Sequence, residues 1–84
     1  MSAIIETCIR EAYAAIGTRT VRLAELRLRV PASPAAVDTA LRAMARQPGV
    51  HLRAEADQKT LTYSDQIAAI VLGGTARHTL LIEP

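Results

Sequence analysis

The chain has 84 residues, half of them apolar, with two tyrosines and neither phenylalanine nor tryptophan. That composition leaves room for one core, built from Ile, Leu, Val, Ala and Met, and excludes a second. Ten basic residues stand against eight acidic ones for a net charge of +2, a balance that permits contact with nucleic acid without dictating it. Cys8 is the one cysteine, so no internal disulfide is expected. No stretch resembles a signal peptide or reaches membrane-spanning length. The expectation is a soluble, cytoplasmic protein with no membrane partner.

Ala3 to Ile16 reads as a first helix. Ile5, Cys8, Ile9, Ala12 and Ile16 recur on one face, Ser2 can cap the start, and Gly17 stops it. Cys8 falls inside that stripe, as a small core residue and not as a reactive thiol. Thr18 to Arg22 is β-branched and polar, enough for one brief strand. Leu23 to Val30 places Leu23, Leu26 and Val30 opposite Arg22, Glu25 and Arg29, a helix of two turns that Pro31 ends.

Ser33 is a favoured N-cap and Pro34 suits a first helical position. The third helix therefore runs from Pro34 to about Gln47, with Val37, Ala40, Leu41, Met44 and Ala45 inward. Asp38, Thr39, Arg42 and Arg46 occupy its wet face, and Pro48-Gly49 ends it. Val50 to Ala56 alternates apolar and polar residues as a half-buried strand. Asp57 to Thr60 is a polar turn, and Leu61 to Tyr63 resumes the alternation as a return strand. Ser64 then caps a short helix from Asp65 to Leu72, stopped by Gly73-Gly74, and His78 to Ile82 forms a final strand.

This order resembles that of the winged helix-turn-helix family. The residues that carry the likeness are Leu23-Ala24-Glu25-Leu26, Val30-Pro31-Ala32-Ser33-Pro34, Val37, Ala40-Leu41, Met44 and Gly49-Val50. The resemblance covers Ile4 to Tyr63 and implies an α+β fold, a three-helix core plus a β-hairpin wing over residues 50–63. On that reading 1–63 is the minimal fold, and 64–84 is a C-terminal extension of helix and strand within a single domain, 1–84.

The family implies a small DNA-binding protein, a transcriptional regulator or accessory factor, with the helix over 34–47 in the major groove of double-stranded DNA. Ser33, Thr39, Arg42, Arg46 and Gln47 would then approach the bases, while Arg53 and Lys59 on the wing contact phosphates. Asp38, Glu55 and Asp57 would oppose phosphate on the same surfaces. They keep open the alternative of a protein–protein interaction or dimerisation module without DNA binding.

His51, His78 and Cys8 lack metal-ligand spacing, and Gly73-Gly74 lacks the Lys and helix of a phosphate loop. Neither metal, cofactor nor enzymatic activity is expected. Leu80, Leu81 and Ile82 are consecutive and apolar, so both faces of that strand want cover. A homodimer through strand 78–82 is the expectation that follows.

Overall fold

The segment joining the second and third helices shows how locally this part of the fold is written. In the computed structural model, which describes residues 2–84, α2 (Leu23–Arg29) ends at Val30, whose backbone is extended because Pro31 excludes helical geometry before it. Ser33 caps α3 (Pro34–Met44), its Oγ accepting the N–H of Ala36 at 3.2 Å, with Pro34 opening the helix. The helix stops at Met44, three residues short of the expected end, and Arg46 and Gln47 bond to Ala43 and Met44 carbonyls in a tightened turn.

α1 (Ser2–Ile16) packs across α3 and against α2. Ile9, Leu23, Leu26, Val37, Ala40, Leu41 and Met44 meet there as the helical half of the core. The other half comes from a three-stranded antiparallel sheet of β1 (Thr20–Arg22), β2 (Val50–Arg53) and β5 (Thr79–Ile82), in the order β1-β5-β2. Leu80 lies opposite Val21 on one side and Leu52 on the other, and all three are buried. Successive strand residues point to opposite faces. The outer face therefore carries Thr79 between Arg22 and Arg53, and Leu81 between Thr20 and His51.

Between β2 and β5 the chain leaves the sheet over residues 54–78. It forms a 3-10 turn (Gln58–Thr60), α4 (Tyr63–Ala68), and a second sheet of two strands, β3 (Ile70–Leu72) and β4 (Thr75–Arg77). Gly73 and Gly74, with φ of 58° and 77°, make the two-residue turn between them, a conformation open to glycine at little steric cost. Ala68 and Ile70 reach back into the core.

Three expectations are corrected by this topology. There is no hairpin over 50–63: β2 ends at Arg53, Tyr63 opens a helix, and the partner of β2 is β5. The short helix spans Tyr63–Ala68, capped by Thr62 and not Ser64, and the residues assigned to its end form β3. The last strand is central, with both its edges paired, and Leu80 and Leu81 are buried on its two faces. That strand has no free edge to offer a second copy, so the expected homodimer cannot form by edge pairing of 78–82. The chain beyond Ser64 supplies the middle of the sheet and is not an appendage to a fold complete by Tyr63.

What the structure shows is a small α+β domain of three helices, a shorter fourth and two antiparallel sheets, helix-turn-helix-like in its helical half. Leu80→Ala is expected to cost about 2–5 kcal/mol in urea unfolding, as large-to-small changes in a tight core do. Leu28→Ala, at a side chain 88% exposed, should cost under about 0.5 kcal/mol. Equal losses at the two positions would contradict the central placement of β5.

Candidate functional site

Arginines hold the 54–78 excursion in place, and that decides which basic side chains remain available. Arg22, leaving β1, donates from Nη1 to Asp65 Oδ2 at 2.7 Å and from Nη2 to Thr60 Oγ1 at 3.2 Å, with Glu55 Oε2 at 3.6 Å. Asp65 is buried and closes a capping box, accepting the Thr62 N–H while the Thr62 hydroxyl accepts its own. These contacts hold its carboxyl below the ordinary 3.8. The Thr62 N–H is the largest cause, burial opposes it, and the Thr62 hydroxyl and Arg22 guanidinium add to the lowering.

Arg27 is a second clamp. Its Nε donates to the Ala68 carbonyl at 3.0 Å, and its Nη2 pairs with Asp38 on α3. One guanidinium thus joins α2, α3 and the end of α4. Asp38, expected on the wet face as an obstacle to phosphate, is neutralised by this pair. Glu55 is likewise drawn to Arg22.

The candidate residues fall into separate groups. Arg42 is exposed on α3, while Arg46 is exposed in the turn that follows the helix end at Met44. Arg42 Nη2 also reaches the Val71 carbonyl of β3 at 3.4 Å, so the outer face of α3 abuts the β3–β4 hairpin. Arg53 is exposed at the end of β2. Ser33 and Thr39 are exposed, but Ser33 Oγ is the cap and Thr39 Oγ1 donates to the Ala35 carbonyl at 3.0 Å. Gln47 turns toward α1, donating to Glu6 and accepting from Arg10. Lys59 stands on the turn anchored to Arg22, and no hydrogen bond or ion pair ties that turn to α3.

Two features escaped sequence reasoning. Arg77 lies in β4 and donates to the Leu52 carbonyl at 2.9 Å and to the Leu72 carbonyl at 3.3 Å, so it covers the open edge of β2. Beside it a cleft opens between the end of α3, β2 and the hairpin, with Ala45, His51, Leu52, Arg53, Leu72 and Arg77 along its walls. The signal that locates Arg77 is Gly73-Gly74 between two β-prone tripeptides, a hairpin turn pair. The second feature is an apolar surface on α2 and α4, where Leu28 is 88%, Tyr63 78% and Ile67 66% exposed. A groove between those helices includes Ala24, Leu28, Ile67 and Ala68.

Among the described residues no group of three or more His, Cys, Asp or Glu side chains converges to hold a metal ion, and no helix is long and apolar enough to cross a membrane. Cys8 is a half-buried free thiol packed against the core.

Asp65→Asn should destabilise the fold by about 1–3 kcal/mol, because a charged acceptor is lost from a buried network. The folded-state carboxyl is lowered, so its contribution is fully present above the ordinary 3.8 and is lost as pH falls through the folded value. Denaturant titrations at pH 7 and in steps below pH 4 should show the difference between wild type and variant shrink with acid. A difference that grows with acid contradicts this assignment. No family model matches the chain, and neither a curated protein nor a solved structure matches it.

Proposed function

We propose that the chain is a winged helix-turn-helix module that binds duplex DNA and catalyses no reaction, acting as a transcriptional regulator or accessory factor. The observation that carries this reading is the pairing of Asp38 with Arg27. It leaves Arg42 on the exposed face of α3 and Arg46 in the turn after it, neither with a carboxylate within ion-pair distance among the described residues. A helix held to its core by one stripe can lay such a face in the major groove, and arginine to guanine is the commonest specific contact there. The strand order β1-β5-β2 suits the same reading. The excursion over 54–78, with its β3–β4 hairpin beside α3, takes the place of a simple wing and puts Arg53 next to the backbone. Ser33 and Thr39 would approach phosphates at the start of the helix. Lys59 reaches DNA only on a long site, given its position near Arg22.

Anisotropy titrations on random-sequence duplex should show binding that weakens steeply with salt. The Arg42→Ala, Arg46→Ala double variant should lose about 1–3 kcal/mol of affinity for each guanine contact removed. No binding at low salt, or an unchanged affinity in the double variant, sinks the proposal.

A second reading, assembly through protein contacts, is favoured by the apolar surface of Leu28, Tyr63 and Ile67. Apolar side chains grouped in the open mark interaction surfaces more often than those scattered singly. It predicts a sedimenting mass that rises with concentration and reverts to the monomer in Leu28→Asp. Mass that stays monomeric at every concentration argues against self-assembly there.

A further inference from the structure

We propose that the cleft between the end of α3, β2 and the β3–β4 hairpin is a phosphate-binding site, with Arg77 and Arg53 as its donors. Arg77 is half-buried, yet the acceptors it meets are carbonyls, Leu52 at 2.9 Å and Leu72 at 3.3 Å. Its Nε is shut off from solvent with no hydrogen-bond partner among the described residues. Nor does a carboxylate come within ion-pair distance of it, in contrast with Arg22 and Arg27. Partial burial strips water from a charge, and carbonyl dipoles answer only part of that loss. An anion in the cleft supplies the missing countercharge.

The two carbonyls also do geometric work. They hold the guanidinium across the gap between the two sheets, so its remaining N–H groups are already oriented and little rotamer freedom is lost on binding. Arg53 shares the cleft, is exposed, and makes no side-chain hydrogen bond or ion pair among the described residues. The nearest carboxylate shown is Glu83, 3.4 Å from His51 Nε2 on the cleft wall, and it makes no ion pair with either arginine among the described residues. Ala45 and Leu72 give the cleft an apolar wall that strengthens each charge–charge contact. A tetrahedral oxyanion matches paired forks of this kind better than a planar apolar ligand does.

The source of the phosphate rests on the duplex reading above. Arg42 touches the hairpin at Val71, and Ala45 just past the end of α3 lines the cleft, so on that reading a phosphodiester in the cleft belongs to the duplex that α3 would approach. In that case the site fixes the register of α3 on the backbone and carries no base preference.

The test uses the full chain labelled with nitrogen-15, titrated with inorganic phosphate against chloride at equal ionic strength, and separately with a random-sequence duplex. Phosphate, and not chloride, should shift the Arg77 Nε–H resonance and the amides of Leu52, Arg53 and Leu72. Arg53→Gln removes no contact seen in the fold and should melt with wild type. It should weaken the phosphate response several-fold and flatten the duplex salt slope by about 0.9, one phosphate contact. Duplex binding with an unmoved Arg77 resonance and an unchanged slope overturns the site while the DNA reading stands. A phosphate response without duplex binding upholds the site for free phosphate and overturns the DNA reading. Neither response overturns both.

Discussion

The N–H of His78 donates to the Arg53 carbonyl at 2.8 Å, and the His78 carbonyl accepts the N–H of Leu23 at 2.9 Å. The side chain is buried as well, its Nδ1 accepting the Glu55 N–H at 3.1 Å. One residue thus closes the 54–78 excursion, starts β5 between its two neighbours, and satisfies a donor at the start of α2. Each of these groups lies where an unmet hydrogen bond would be costly. The sheet, the seat of α2 and the position of the hairpin all follow from this closure. An Nδ1 that accepts requires the ring proton on Nε2.

The excursion has to be held flat against the domain for that closure to persist, and few apolar side chains are available for the purpose. Ala68 and Ile70 enter the core, while Tyr63, Ile67 and Val71 do not. Charge replaces area. Arg22 gathers Glu55, Thr60 and Asp65, Arg27 takes the end of α4, and Arg77 bonds the hairpin to β2. Arg22 and Arg27 sit on or beside α2, so that short helix positions the excursion and the third helix together. A planar fork with several donors suits this role better than an ammonium does.

The legible parts of the fold are those whose signals are local. Ser33-Pro34 and Pro31 mark their helix ends because capping and proline sterics act within a few residues. The stripe Val37, Ala40, Leu41, Met44 is buried as its spacing implies. The sheet was misread where pairing is distant. Leu61-Thr62-Tyr63 alternates like a strand, but Thr62 and Asp65 form a capping box that commits the next residues to helix. Leu80-Leu81-Ile82 looks like a strand short of cover, yet β1 and β2 pair with both its edges and Leu80 and Leu81 are buried on its two faces. Of the candidate residues, Arg42 is exposed on α3 as its spacing implies, while Arg46 falls in the turn beyond the helix end. Arg77 was not readable, because its position depends on a hairpin read as a helix end.

Net charge conceals how the basic residues are distributed. Arg10 pairs with Glu6, Arg22 with Glu55 and Asp65, and Arg27 with Asp38. Of the acids that remain, Glu11 lies on α1, Glu25 on α2 and Glu83 beside His51, while Asp57 caps the 3-10 turn. None belongs to α3 or to the hairpin. Arg42, by contrast, sits on α3, Arg46 in the turn after it, Arg53 on β2 and Arg77 on the hairpin. None of these four arginines has a carboxylate within ion-pair distance among the described residues, because the acids are paired or placed elsewhere. Because screening at physiological salt acts over roughly 8 Å, a polyanion bound as proposed would respond to such local charges and hardly to the sum over the whole molecule.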